Sequence, residues 1–482
     1  MSLASIALNR FGLGARSGDA PIDDPRGWLL AQFAWYEPRP IGIAAAPTSV
    51  DAGARLASFY DQSRTLRLRP AMGSAPVAPS GVALGTPNAV QNPLMDVRRE
   101  AGRIARADYT TAVGARLTAA LNTDAPFVER MVHFWANHFA VSADKLPLIA
   151  LAGTLEFEAI RPHVLGRFAD MLHAVERHPA MLIYLDQAIS VGPGSPVGQR
   201  VAARGVRSAG LNENLAREIL ELHTLGARSG YTQADVTEFA KALTGWTVSG
   251  LGRNPGTSRS GEAAGRFVFA PDVHEPGDRV IVGQRYPAAG EEQGGAVLAR
   301  LAQHPATARH LATKLARHFA GDVPPPAMVA RLEAAYLASD GDLPTVYRAI
   351  MASPEAWDGK APKFRTPWEW TVASYRALGI NQVQPAAAVG LMNQLGQPVW
   401  KPGQPSGYDD VSASWAAPDA VMRRVEAAPP LARRASAVDP RRLGDRLFPG
   451  ALSPGTARAL GGAESRAQAL ALLLVSPEMM RR

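Results

Sequence analysis

The chain has 482 residues, 46% hydrophobic and 20% charged, a balance ordinary for a globular protein wrapped around one core. No run approaches the roughly 18 to 20 uninterrupted apolar residues that a membrane-spanning helix needs, so a soluble protein is expected. There is no cysteine, which excludes disulfides, thiolate metal ligands and cysteine nucleophiles.

The net charge of +8 comes from 51 basic against 43 acidic residues, and the basic side chains are overwhelmingly arginine. Such a bias reflects a GC-rich genome as easily as an anionic partner. Without a basic run interleaved with aromatics, nucleic-acid binding has little support, whereas a polymeric or anionic substrate stays open. The opening MSLASIALNRFGLGARSGDA lacks a basic start, long apolar core and cleavage site. A cytoplasmic location is therefore expected, with partner-assisted export to the periplasm as the alternative.

In chain order, residues 2–11 predict a short helix stopped by Gly12 and Gly14. Residues 67–93, rich in Ala, Pro, Gly and Ser, read as an exposed loop. From 94 to 186 helical signals dominate, with Asp124-Ala125-Pro126 as a capped start into FVERMVHFWANHF. Residues 190–210 read as a Gly-rich loop beside the candidate site. Two helices follow, over 211–226 and from Thr232, where Thr232 and Asp235 have capping-box spacing. Residues 265–286 alternate apolar and polar around Pro276-Gly277 and predict one β-hairpin. Helices resume at His304, with Pro305 in the first turn, and Ser-Pro-Glu recurs at 353–355 and 476–478 as a helix start. The expected fold is mainly α: a single large multi-helix domain over 1–482 with one small hairpin.

The most informative stretch is LNENLAREILELHTLG, 211–226. At about 100° per residue Leu215, Ile219 and Leu222 make a core face, while Asn214, Glu218 and Glu221 share a neighbouring one with Arg217 beside Glu221. These could be a carboxylate acid/base pair, Glu218 and Glu221, with Arg217 in support and Asn212 and Asn214 as binding amides. The commoner reading of such a helix is a solvated face of charge pairs. His223 points to the apolar side and reads as a core histidine. In HFWANHF, His133 and Asn137 share a face with Glu129, and His138 lies on another. Two histidines five apart are no zinc pair, although one of them with Glu218 or Glu221 could complete a three-ligand site. No metal and no cofactor are expected. His133 is a further catalytic candidate; Asn137, His138 and Asp186 are binding candidates. No phosphate loop and no G-x-S-x-G elbow is present.

The segments LNRFGLGARSGD, HFWANHFAVS, YLDQAISVGPGS, NENLAREILELHTLG, GYTQADVTEFAKALTGW, RFVFAPDVHEPGDRVIVG, HPATARHLATKLARHF, KFRTPWEW and LGQPVWKPGQPSGY, in this order, resemble the bacterial domain of unknown function 1800 family. Where members usually show LDN this chain has Leu185-Asp186-Gln187, and residues 199–209 look longer than expected. The resemblance implies a gene neighbour of the 1501 unknown-function family, itself similar to sulfatases and phosphatases, and frequent export. It thus implies joint work on an envelope or extracellular polymer. Two functions follow: a hydrolase or lyase acting on such a polymer, a glycan for preference, or a non-catalytic binding or maturation partner of the 1501-family protein.

Overall fold

A computed structural model describes residues 2–68, 92–205, 210–251, 262–360, 363–435 and 439–482. The loop expected over 67–93 lies almost wholly outside them; of its ends, residues 67 and 68 close the helix Ser49–Leu68 and Pro93 opens the next.

The fold is mainly α, as expected. Its axis is the 30-residue helix Pro93–Asn122, against which Ser49–Leu68, Leu146–Leu155, Pro367–Ala377 and Pro385–Gln394 pack. A second layer sets Pro305–Ala320 against Pro326–Ala338 and Leu343–Ala352. Nearly all buried apolar side chains, from Ile6 to Met480, form one continuous cluster. Among the described residues no helix is long and apolar enough to cross a membrane.

Local chemistry starts most helices. Proline stands in the first turn of many, where its missing N–H costs nothing. In the repeated His-Pro-Ala starts the histidine is the cap: His178 Nδ1 accepts from Ala180 N–H at 3.2 Å and His304 Nδ1 from Ala306 N–H at 3.1 Å. Both halves of the Thr232/Asp235 capping box form, and a second joins Thr366 to Glu369.

Four details depart from the sequence reading. Asp124 does not cap Pro126–His138; it pairs with Arg16, and the N–H of Phe127 is taken by Gln32 Oε1 at 2.7 Å. Residues 267–269 pair with Trp246–Val248, and the hairpin is confined to Arg279–Ile281 and Gln284–Tyr286. Its turn is Val282-Gly283, both with positive φ, rather than Pro276-Gly277. The 190–210 stretch contains the helix Pro196–Ala203, capped by Ser195. Finally, 214–226 is not uniformly α-helical: Asn214–Glu218 is followed by a π turn, Ile219–His223, closed by Thr224 N–H on Ile219 O at 2.9 Å. The extra residue turns the face, so Leu222 is only half-buried and His223 is fully inside.

A candidate functional site around the Pro126–His138 helix

The Pro126–His138 helix is buried on nearly every side because apolar residues face the core and its charged residues find partners within it. Glu129 receives both guanidinium arms of Arg161, at 2.7 and 2.9 Å. Burial alone pushes its carboxyl up, but Arg161 and His133 outweigh it and hold Glu129 below the usual carboxylate range. One turn on, His133 Nδ1 accepts from Trp368 Nε1–H at 3.2 Å, so its Nε2 carries the proton, 3.6 Å from Glu129.

His133 opens into a cavity of about 120 Å3 between this helix, Pro305–Ala320, the start of Pro367–Ala377 and the segment 397–410. Trp368, Trp400 and Tyr408 supply aromatic wall. Arg116, from the long central helix, lies 4.3 Å from the ring centre of Trp368 and 5.4 Å from that of Trp400. Glu156 fixes it there, 2.8 Å from its Nε, and also accepts from Trp400 Nε1–H at 2.9 Å.

The other wall is a chain of charges. Arg130 donates to Gly12 O at 2.9 and 2.7 Å and pairs with Glu369. Glu369 also accepts the N–H of Thr366, at 2.9 Å, and meets Arg482 at 2.9 Å. Against the cost of burial, Arg482 and Arg130 hold its carboxyl below the ordinary range. His318 Nδ1 is 2.9 Å from Asp410, while Arg130 and Arg482 approach Nε2 at 3.5 Å. A carboxylate only accepts and a guanidinium only donates, so the ring proton sits on Nδ1. Burial, with Arg482 and Arg130 adding to it and Asp410 opposing, pushes His318 down to about 4. The other oxygen of Asp410 lies 2.7 Å from Lys363.

Asn137 clamps the roof: Nδ2 donates to Tyr408 O and Oδ1 accepts from Tyr408 N–H, both at 2.8 Å. The approach is close enough that Gly407, at φ +78°, has no room for a side chain; a Cβ would stand 2.3 Å from Asn137 O. His138 donates from Nε2 to His223 O at 3.2 Å and accepts on Nδ1 from Lys314 Nζ at 2.9 Å. Burial lowers Lys314 to about 8, Asp410 opposing and Arg317 adding to the effect.

Of the residues singled out from sequence, His133, Asn137 and His138 line this cavity. The 212–221 group does not. Arg217 pairs with Glu213 at 3.1 Å and reaches Gln233 at 3.0 Å. Glu221 accepts from Tyr231 O–H at 3.4 Å. Glu218 is half-buried, and that burial raises its carboxyl above its ordinary value. The side chain of Asn212 accepts from Asn214 N–H, and Asn214 is exposed. Asp186, at φ +56°, faces Lys145 at 3.6 Å, and the amide of Gln187 is buried, tying to Leu243 O at 2.8 Å. His223 is the core histidine expected, bonded through Nδ1 to the buried Glu176 at 2.7 Å. It joins the two regions, because its carbonyl receives His138.

Sequence reasoning missed Arg116, Arg130, Lys314, His318, Glu369 and Asp410. Lys314 and His318 stand four apart in HPATARHLATKLARHF, a spacing that shares a face, and the capping-box pattern marks Glu369. Arg116 and Asp410 carry no local signal. Among the described residues no three His, Asp or Glu side chains are arranged to hold a metal ion.

The class so defined is a mainly helical protein with an aromatic-walled cavity bordered by charged side chains. The family described as "Protein of unknown function (DUF1800)" matches residues 6–481, nearly the whole length, and the chain belongs to it. Searches of curated proteins and of solved structures returned no match.

Proposed function

We propose that the chain is a hydrolase or lyase that takes an anionic, ring-bearing unit of an envelope or extracellular polymer, a glycan in the simplest case, into the cavity around His133. The observation that carries this reading is a stacked guanidinium, Arg116, and an amine, Lys314, without an ion pair among the described residues, on one aromatic-walled cavity. Sugar rings pack against tryptophan faces, and an acidic substituent pairs with a guanidinium held in place beforehand. With a pKa of about 8, Lys314 suits proton transfer near neutral pH. The cavity carboxylates are engaged elsewhere, Glu369 with Arg130 and Arg482, Asp410 with His318 and Lys363. The proton-transfer role therefore falls to Lys314 in preference to Glu218 and Glu221, which stand outside the cavity.

The test is incubation with uronate-bearing, sulfated and neutral glycans, reading new reducing ends and new double bonds. Turnover of the anionic glycans is expected, lost in Lys314→Arg, which keeps the charge. Full turnover by Lys314→Arg would overturn the assignment. Absence of any turnover, together with tight association with a 1501-family protein, would favour the partner reading.

A further inference from the structure

Lysine is scarce in this chain: six of the 51 basic residues. Lys145, Lys241, Lys363 and Lys401 each sit against a carboxylate, of Asp186, Glu238, Asp410 and Asp144. Lys360 is exposed. Lys314 differs from all of them. It is half-buried in the cavity wall, makes no ion pair among the described residues, and has as its hydrogen-bond partner the Nδ1 of His138 at 2.9 Å.

That partner is an acceptor without charge. His138 Nε2–H is committed to His223 O, so Nδ1 bears the lone pair, and burial keeps the ring neutral. A neutral imidazole orients the amine but gives its cationic form no counter-charge, and Asp410 is already shared between His318 and Lys363. Arginine would serve better for anion binding alone, and the same cavity is lined by Arg116 and Arg130. What lysine offers and arginine cannot is a nitrogen lone pair.

We propose that Lys314 is a nucleophile that captures the carbonyl carbon of a small anionic aldehyde or keto acid as an imine, with Arg116 receiving the acidic group. The neutral amine adds to the carbonyl carbon, forming the C–N bond. The carbonyl oxygen then leaves as water with the two amine protons, and a C=N bond remains. No oxidant or reductant is consumed. The inference rests on the cavity assigned above as a working site, but not on the glycan reaction.

The experiment is incubation of the full chain with glyoxylate and cyanoborohydride, which reduces the imine to a stable secondary amine, followed by peptide mapping by mass spectrometry. Labelling of Lys314 several-fold above the exposed Lys360 is expected, because Lys314 is held in the cavity wall by a neutral acceptor and burial, lowering its amine to about 8, raises its neutral fraction. Acetaldehyde, which lacks the carboxylate, should label Lys314 less than glyoxylate does. Lys314→Arg should melt as the wild type does and lose the adduct, and mapping of the wild type alone locates it if that variant fails to fold. Equal labelling of all lysines, or none, overturns the proposal. Glycan turnover without an adduct overturns it while leaving the glycan reading intact, and an adduct without glycan turnover supports it while counting against that reading.

Discussion

Beneath the cavity lies the pair whose removal should be felt most. Arg161 and Glu129 have side chains 1% exposed, joined at 2.7 and 2.9 Å, and Glu129 also faces His133 at 3.6 Å. Arg161→Met deletes the cation and leaves a sealed carboxylate, which costs about 3 to 5 kcal/mol. Unfolding entropy of about 2.1 cal/mol/K per residue over 482 residues gives about 1 kcal/mol/K, so the melting point should drop by about 3 to 5 °C. The sign with pH follows from the depressed carboxyl. Its stabilisation is present above the unfolded value near 4.3 and is lost as pH falls through the folded one, so the gap between wild type and variant should shrink in acid. Glu129→Gln in the Arg161→Met background removes the orphaned charge and should recover part of the loss. Differential scanning calorimetry from pH 2 to 8 reads all of this. A Arg161→Met protein melting within 1 °C of wild type at pH 7 would refute the reasoning, because a sealed, uncompensated carboxylate cannot be that cheap.

At the π turn, Ile219→Ala should cost about 2 to 5 kcal/mol and Leu222→Ala distinctly less, since only Ile219 is fully buried; equal losses in denaturant titration would contradict the π turn. Glu218→Gln should melt no lower than wild type at neutral pH, because burial already disfavours that carboxylate, and a fall of several degrees would make it a structural charge. His318, lowered from 6.5 to about 4, stabilises the fold above its unfolded pKa, and that contribution is lost as pH falls from about 6.5 towards 4. His318→Gln should therefore flatten the melting-point profile over that window, and an unchanged slope would rule out the histidine as its source. Gly407→Ala should destabilise the roof by about 1 to 3 kcal/mol through its positive φ and its contact with Asn137, and unchanged proteolysis of 397–410 would refute it.

Helix starts were legible because their chemistry is local. A threonine three residues before an acid, or a proline after a cap, acts within one turn, and Thr232/Asp235 and His304-Pro305 formed as read. Strand partners were not, since the alternation at 267–269 shows a strand without showing which chain segment completes it. In HFWANHF the composition was enough to mark His133, Asn137 and His138, although not to show that Asn137 clamps a loop 271 residues away.

By itself the sequence determined the class of fold, the family, the positions of most helices and half of the cavity's first wall, all properties carried by periodicity and by neighbours in the chain. Only the tertiary structure decided which charges matter. Glu218 and Glu221 crowd one stretch of sequence yet stand apart from the cavity, whereas Arg116, Lys314, Glu369 and Asp410 converge from four separate segments. The physical reason is desolvation: a charge becomes chemically distinctive when packing strips its water and restricts its partners, and that depends on what the fold brings against it.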